Sequence, residues 1–339
     1  MNDRNNNNIY KEVMLKLYHQ AQMDGENSSR LPTLRQLAEQ FHCTHPTVLR
    51  AVRELVKRDV LIQLKNGDYR TVPQFASKNT RYLAMVYAQG MNLLEDSYSV
   101  GLKYFAVKHL ILSPEHLRFS EIHASSPGDI EAGIRSGIYC GAVLCNPRKD
   151  IMPVMTESCR SAGIPLGVFG GHCADAADVS ITYDVRNNFL MLFERLIQRK
   201  RRRVLVLSQQ HHEGNDGVRE AMNEVSGYFE KAEFMTDSVT RIADYLLQNT
   251  GGSGVNFDCV VYMLNIFDTY EKLQTHAPDC LCAMPEFSSC LENDFRGLVL
   301  RYDLENAGRQ FGRAMSAVLN RQTPDNPKGF IPCSIQEVP

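Results

Sequence analysis

The sequence predicts a small α+β domain followed by a much larger α/β domain of doubly wound parallel sheets. Three observations support this fold class. The first seventy residues follow the order helix, helix, turn, helix, hairpin. A polar stretch with proline and serine follows, and beyond it β-rich runs alternate with helical stretches, as in parallel sheets covered by helices. The predicted boundaries are 1–73 for the first domain, 74–80 for a linker and 81–339 for the second domain.

Composition indicates a globular protein with no membrane segment. Of its 339 residues, 43% are hydrophobic and 22% charged, and no apolar run approaches the ~20 residues that a membrane span needs. The polar N-terminus lacks a secretory signal, and ten cysteines without paired spacing favour reduced thiols in the cytoplasm and no metal site. Residues 1–78 hold 12 Lys and Arg against 8 Asp and Glu, whereas the remainder is acidic. The small domain is therefore suited to a polyanionic partner.

Three helices account for most of the first domain. Apolar residues recur with helical spacing in three segments, and Thr33 and Thr44 are suited to cap the second and third helices. Pro46 falls in the first turn of the third helix, where its missing N–H costs little. The pattern leaves four basic residues of this helix on or near the outer surface: Arg50, Arg53, Lys57 and Arg58.

A hairpin completes the first domain. Asn66-Gly67 lies between two β-type runs and predicts a tight turn. The arrangement is a winged helix-turn-helix, whose third helix can enter the major groove of DNA while the wing contacts the adjacent backbone. Such a module can also serve protein contacts alone. Arg35, Arg50 and a wing with Lys65 at its tip are expected on one surface, which favours DNA.

At these residues the chain resembles the GntR family of bacterial regulators. The resemblance rests on Leu31–Ala38, on Thr44–Val48 and on the glycine-bearing wing, and it covers about residues 8–73. It implies DNA contacts from the second helix, from the start of the third helix and from the wing tip. The implied contact residues are Arg35, Thr44, His45, Thr47, Arg50, Lys65, Asn66 and Gly67. His45 stands where arginine is usual and Leu49 where a basic residue is common, which weakens phosphate binding.

The second domain is predicted as strands alternating with helices. Strands are expected at residues 82–87, 117–122, 141–145, 165–169, 179–183, 204–207, 259–264, 281–284 and 298–302. Helices are expected at residues 130–136, 152–162, 185–199, 217–225, 239–248 and 304–319.

Parts of this domain resemble the effector domain of LacI-type regulators, a fold related to periplasmic sugar-binding proteins. Gly141–Cys145, Ser161–Phe169 and Val179–Asp184 lie among the matching segments, and the match runs diffusely over about 81–339. The resemblance implies two lobes that close on a small-molecule effector, namely a sugar or a sugar-like metabolite. It also implies a homodimer on a double-stranded operator, and repression rather than activation.

The ligand of such a fold lies at the carboxyl ends of the parallel strands. The residues expected to line this site are Tyr87, Gln89, Asn146, Phe169, Asp184, Gln209, Asn265 and Glu286. Charged groups that hold sugar hydroxyls in relatives are replaced here by Gly214-Asn215, Asn265-Ile266 and Pro285-Glu286. The effector therefore differs from those sugars, or the pocket no longer binds one.

No catalytic or cofactor motif stands out. Phosphate-binding, dinucleotide-binding and zinc-protease signatures are absent. His211-His212-Glu213 is interpreted as a loop rather than a metal fragment, and Arg199–Arg203 as a helix-to-strand turn rather than a nucleic-acid patch. The sequence thus predicts a non-enzymatic regulator without a cofactor. Two alternatives stay open: a regulator whose large domain only dimerises, and an enzyme or transport-type binding protein with a non-functional head.

Overall fold

A computed structural model describes most of both predicted parts of the chain. The described residues are 9–10, 13–14, 16–18, 20–21, 28–72, 81–88, 97–111, 117–124, 126–135, 139–147, 149–171, 176–208, 212–237, 241, 245, 257–263, 279–285 and 295–338. The predicted linker at 74–80 lies outside them.

The head, up to residue 72, is a helix-turn-helix followed by a hairpin. Its elements are α1, formed by the helical residues between 9 and 21, then α2 (Leu34–Gln40), α3 (His45–Lys57), β1 (Leu61–Gln63) and β2 (Tyr69–Thr71). The two strands pair antiparallel, with Leu61 opposite Thr71. The apolar faces of the helices meet in a core that includes Leu17, Leu37 and Val52. Each head element expected from the sequence is therefore present.

The body contains two six-stranded sheets with helices packed against them. Its elements are β3 (Arg81–Ala88), α4 (Ser97–Ile111), β4 (Leu117–Ala124), α5 (Pro127–Arg135), β5 (Tyr139–Cys145), α6 (Met152–Ala162), β6 (Leu166–Phe169), β7 (Val179–Thr182), α7 (Val185–Gln198), β8 (Arg203–Ser208), α8 (Asn215–Glu224), β9 (Lys231–Thr236), β10 (Cys259–Tyr262), β11 (Leu281–Pro285), β12 (Gly297–Tyr302), α9 (Leu304–Leu319), β13 (Lys328–Phe330) and β14 (Cys333–Val338).

The N-terminal lobe is built on a wholly parallel sheet of order β13-β7-β6-β5-β3-β4. Alternate residues of its strands point to opposite faces. Met85 and Val143 pack with residues of α4 and α9, whereas Ala84 and Ala142 pack with residues of α5 and α6. This lobe is therefore a three-layer sandwich.

The C-terminal lobe has the sheet order β14-β12-β11-β10-β8-β9. Val204 and Val206 of β8 pack with Phe193 of α7 and Val218 of α8 on one face. The other face carries a separate apolar cluster around Phe257. The strands are parallel except β14, which runs antiparallel to β12. The predicted parallel sheets are therefore present in both lobes, with β14 as an added antiparallel edge strand.

The chain passes between the lobes three times, from β7 to α7, from β12 to α9 and from β13 to β14. Backbone hydrogen bonds join the three passages: Ile331 N donates to Thr182 O at 2.8 Å, and Asp303 N donates to Pro332 O at 2.9 Å. The rings of Tyr183 and Tyr302 meet edge to face, with centroids 4.9 Å apart. These segments form the hinge between the lobes.

The head packs against the N-terminal lobe at the starting end of β4. The hydroxyl of Tyr18 donates to Leu117 O at 3.2 Å and accepts from Phe119 N at 3.0 Å. Arg118, which is 2% exposed, donates to Val72 O at 3.3 Å. One cluster of buried apolar side chains contains residues of both the head and this lobe. The two parts therefore share a core.

This docking overturns one expectation for α3. Arg58 is only 8% exposed, and its guanidinium donates to Ile111 O at the end of α4 and to the Glu54 carboxylate. The spacing of apolar residues along α3 predicts Arg58 at the surface, because this spacing reflects only the packing inside the head. The neighbouring lobe covers that position.

Candidate nucleic-acid interface and inter-lobe cleft

Two threonines mark where the helices of the helix-turn-helix begin. Thr33 Oγ1 accepts from Gln36 N at 3.3 Å while Gln36 Oε1 accepts from Thr33 N at 2.9 Å, which is a capping box. Thr44 precedes α3 with an extended backbone, and its hydroxyl lies 2.9 Å from that of Thr47. Thr33 is confirmed as a side-chain cap, whereas Thr44 occupies the N-cap position of α3 without a side-chain capping hydrogen bond. Thr44, Thr47 and the exposed His45 are grouped at the leading end of α3.

Arg35 and Arg50 are both exposed. The Arg35 side chain is 90% exposed and its Nε lies 3.7 Å from the Glu39 carboxylate. An exposed pair at this distance is weak, so the Arg35 charge stays available to a ligand. The Arg50 guanidinium lies over the ring of Tyr10 from α1, 4.2 Å from its centroid.

The exposed face of α3 is positively charged beyond Arg50. Arg53 and Lys57 are also exposed on this helix. The one acidic residue of α3 is Glu54, whose carboxylate lies 3.0 Å from Arg58 Nε and 3.9 Å from Lys57 Nζ. Neighbouring cations therefore balance its charge, and the face as a whole favours a polyanion.

The wing tip has the geometry that Asn66-Gly67 predicts. Gly67 has a φ of +87°, which favours glycine, and its N–H donates to Leu64 O at 2.9 Å. Asn66 Oδ1 accepts from Asp68 N at 3.2 Å, and Arg30 forms an ion pair with Asp68. Lys65, Asn66 and Gly67 are all exposed. The charge of Asp68 at the wing tip is therefore neutralised by Arg30, while Lys65 faces solvent.

The N-terminal lobe places three predicted effector residues in different environments. Asn146 follows β5 in a left-handed conformation with a φ of 48° and is half-buried. Asp184 caps α7, because its carboxylate accepts from Asn187 N at 3.2 Å and from Asn187 Nδ2 at 2.6 Å. Phe169 is fully buried against Phe311, with ring centroids 5.4 Å apart. Phe169 is therefore a core residue and presents no surface to a ligand.

The remaining effector predictions fall largely outside the described residues. Tyr87 lies near the end of β3, paired with His123 of β4, but the position of its side chain is not described. Gln89, Gln209, Asn265 and Glu286 lie outside the described residues.

Polar residues at and after the end of β8 in the C-terminal lobe have partners within the protein. Ser208 Oγ donates to Asn215 Oδ1 at 2.5 Å in a buried setting. The Glu213 carboxylate accepts from Lys149 N at 2.7 Å, which joins the loop after β5 to the loop before α8. The two lobes therefore touch across their cleft at this point.

The two ambiguous motifs of the sequence have structural roles. His212 Nδ1 accepts from Gly214 N at 3.1 Å within a turn, and burial lowers the pKa of this imidazole. His211 lies outside the described residues. The Asp258 carboxylate accepts from Arg202 N at 3.0 Å and from Arg203 N at 3.1 Å, which confirms the helix-to-strand turn. Among the described residues no His, Cys, Asp and Glu cluster could hold a metal, and no helix could cross a membrane.

Comparison of this fold with solved structures gives extensive but distant matches. The lac repressor dimer bound to operator and an anti-inducer has a TM-score of 0.61 at 11% identity, over 78% of this chain and 95% of that chain. The complex of the transcriptional regulator CelR with cellobiose has a TM-score of 0.58 at 16% identity, over 90% and 98%. A carbohydrate transporter from Acidothermus cellulolyticus with myo-inositol has a TM-score of 0.59 at 13% identity, over 76% and 94%.

These matches establish the class of fold. The body is a two-lobed α/β domain of the periplasmic-binding-protein type, similar to that of LacI-family regulators. No protein-family model matches the chain, and no curated protein matches it by sequence. Because regulators and transport proteins share this fold, the fold alone does not define the function, which depends on the head and on the cleft.

Proposed function

We propose that this chain is a sequence-specific, DNA-binding transcription regulator controlled by a small molecule. The head, which we assign to the GntR type, binds a double-stranded operator. The body binds a sugar or sugar-like effector and joins two chains as a homodimer in the cytoplasm. The observation that carries the proposal is the helix-turn-helix and wing, in which none of the eight predicted contact residues is buried.

The proposed mechanism couples lobe movement to the spacing of the two heads. Effector binding shifts the lobes about the three hinge segments and changes how the N-terminal lobes of the dimer face each other. Because Tyr18, Arg58 and Arg118 join the head to the N-terminal lobe, the head follows that lobe. The effector-bound dimer then no longer fits its operator, which makes the chain a repressor.

A mobility-shift assay with DNA from upstream of the chain's own gene tests the proposal. We expect a shifted complex that competing random duplex does not remove, and release when the matching sugar from a panel is added. Equal affinity for the upstream DNA and the random duplex would contradict sequence-specific binding.

A second candidate function is a DNA-binding regulator whose body only dimerises. It is favoured because polar residues of the cleft form hydrogen bonds within the protein. Asp184 caps a helix, Asn215 accepts a hydrogen bond from Ser208, and Glu213 accepts one from the Lys149 backbone N–H. Thermal unfolding with the same sugar panel separates the candidates. An effector raises the midpoint of unfolding by mass action, whereas a body without a ligand shows no shift with any sugar while DNA binding persists.

A further inference from the structure

The side chain of Arg50 is exposed but held in place. Its guanidinium lies 4.2 Å from the centroid of the Tyr10 ring, well within the range of a cation–π contact. Tyr10 is itself partly buried on α1, and its hydroxyl donates to Met14 Sδ at 3.8 Å. The first helix of the head therefore fixes the direction of a cation on the third helix.

The Tyr10–Arg50 contact borders a groove of about 480 Å³ beside the exposed face of α3. The groove is lined mainly by Tyr10, Pro46, Leu49, Arg50, Arg53 and Lys57. The carboxylate of Glu54 also borders it, and this carboxylate is shared between Arg58 and Lys57. The groove therefore presents three cations and an aromatic wall to a negatively charged ligand.

The geometry leaves Arg50 able to bind a phosphate. Stacking on a ring uses the face of the guanidinium, whereas its N–H donors point outward in the plane of the group. Burial, followed by the field of Glu54, raises the pKa of Tyr10, so the hydroxyl is neutral and adds no charge that would repel phosphate.

We propose that Tyr10 is a positioning residue for DNA binding, whose ring holds Arg50 ready to contact the phosphate backbone along this groove. The inference rests on the proposed DNA-binding function. An unrestrained arginine loses much rotamer freedom when it binds, and a side chain already held by a ring loses less. The ring therefore raises affinity without touching DNA.

A double-mutant cycle in the full-length chain tests the inference, with a fluorescent random-sequence duplex at low ionic strength as the probe. Tyr10→Leu is expected to weaken binding about two- to five-fold, the loss that corresponds to an exposed cation–π contact. Tyr10→Phe keeps the ring and is expected to retain the affinity of the wild type. Tyr10→Leu has no further effect in an Arg50→Ala background, because the ring acts through that guanidinium.

Three measurements separate this role from a structural one. Tyr10→Leu leaves the slope of affinity against salt unchanged, since the number of phosphate contacts is the same. Tyr228→Leu, which removes an exposed aromatic ring of the C-terminal lobe, serves as the matched control and leaves affinity unchanged. The thermal midpoint of each variant shows whether the head is folded.

The outcomes also separate the inference from the proposed function. The positioning role is overturned if Arg50→Ala weakens DNA binding but Tyr10→Leu does not. It is also overturned if Tyr10→Leu weakens binding as much in the Arg50→Ala background as in the wild type. In both cases the proposed DNA-binding function still stands. If the wild type itself does not bind duplex DNA, the proposed function fails.

Discussion

Arg50 lies on α3 and Arg58 directly follows the last residue of that helix, and the two side chains have opposite environments. Arg50 is exposed over a tyrosine ring, whereas Arg58 is covered by the N-terminal lobe and bonded to Ile111 O. A buried guanidinium needs hydrogen-bond acceptors, which a carbonyl at a helix end and Glu54 supply. The first arginine is therefore available to a ligand, and the second stabilises the docked head.

Removal of Arg35 or Arg50 is expected to weaken binding to duplex DNA. An arginine whose guanidinium contacts a base is predicted to lose about 1–3 kcal/mol of binding free energy when it is replaced by alanine. For an arginine that contacts phosphate, the same replacement is predicted to reduce the slope of log affinity against log salt concentration by about 1. Fluorescence anisotropy at several salt concentrations measures both quantities. Arg313→Ala removes an exposed arginine from α9 and is the charge-matched control. Arg35 and Arg50 variants that behave like this control would show that these residues do not contact DNA.

The positions of the predicted DNA-contact residues were accessible to sequence reasoning because each follows from a local pattern. Thr44 precedes a helix, Arg35 and Arg50 fall on the outer side of amphipathic helices, and Gly67 sits in a hairpin turn. The environments of the predicted effector residues were not accessible in the same way. Phe169 and Asp184 both come at or after strand ends, but long-range packing decides that the first is core and that the second caps a helix.

At the scale of elements, one buried hydroxyl contributes two of the hydrogen bonds at the junction between head and body. Tyr18 is 1% exposed and serves as both donor and acceptor for the start of β4. Burial raises its pKa, so the hydroxyl stays protonated and can donate to Leu117 O. Without it, a backbone donor and a backbone acceptor would lose their partner inside a shared core.

Tyr18→Phe is expected to lower the free energy of unfolding by about 1–3 kcal/mol, the cost of leaving buried polar groups unsatisfied. Urea denaturation measures this change. Tyr228→Phe, at an exposed position, is the control and should change stability little. Equal stability of the two variants would mean that the Tyr18 contact does not hold the head on the lobe.

The contact between α4 and α9 depends on two glycines. A Cβ on Gly308 would meet Phe105 O at 2.4 Å, and one on Gly312 would meet His109 Cβ at 2.6 Å. The helices therefore approach closely only where side chains are absent. Beside this contact, Lys108 Nζ of α4 lies 2.6 Å from the Glu305 carboxylate of α9.

Gly308→Ala is predicted to lower the free energy of unfolding by about 1–3 kcal/mol through overpacking against backbone. Gly227→Ala is the matched control, because a Cβ there meets nothing within 4 Å. Urea denaturation should show the first variant destabilised and the second unchanged or slightly stabilised. Two variants of equal stability would contradict the close approach of the helices.

The elements that sequence reasoning found have strong local patterns, and those it missed do not. All nine predicted strands of the body are present. Helix α4 was missed because its sequence has no one-sided apolar pattern, as expected for a helix packed against both a sheet and α9. Strand β9 carries charged residues at a sheet edge, and β14 joins its sheet after a long excursion through the other lobe.

At the scale of the whole molecule, two of the hinge passages use the same short sequence. Tyr183-Asp184 and Tyr302-Asp303 each lie where a strand of one lobe ends and a helix of the opposite lobe follows. Asp184 accepts from Asn187 N and Asp303 from Asn306 N, at 3.2 and 3.0 Å. The repetition gives the two lobes matching connections.

The order of the parts links the cleft between the lobes to the head. The head is joined to the N-terminal lobe by a shared core, and that lobe is joined to the C-terminal lobe at the hinge and by the Lys149–Glu213 contact. Under the proposed function, a ligand in the cleft acts on the head through the position of a whole lobe.

Titration of a fluorescent duplex with the wild-type protein tests the central claim, that the head is a DNA-binding module, most directly. At low ionic strength we expect saturable binding, with an affinity that falls log-linearly as salt is raised because counterions are released from phosphates. Failure to bind duplex DNA at roughly 10 mM salt, where electrostatic attraction is strongest, would contradict the account.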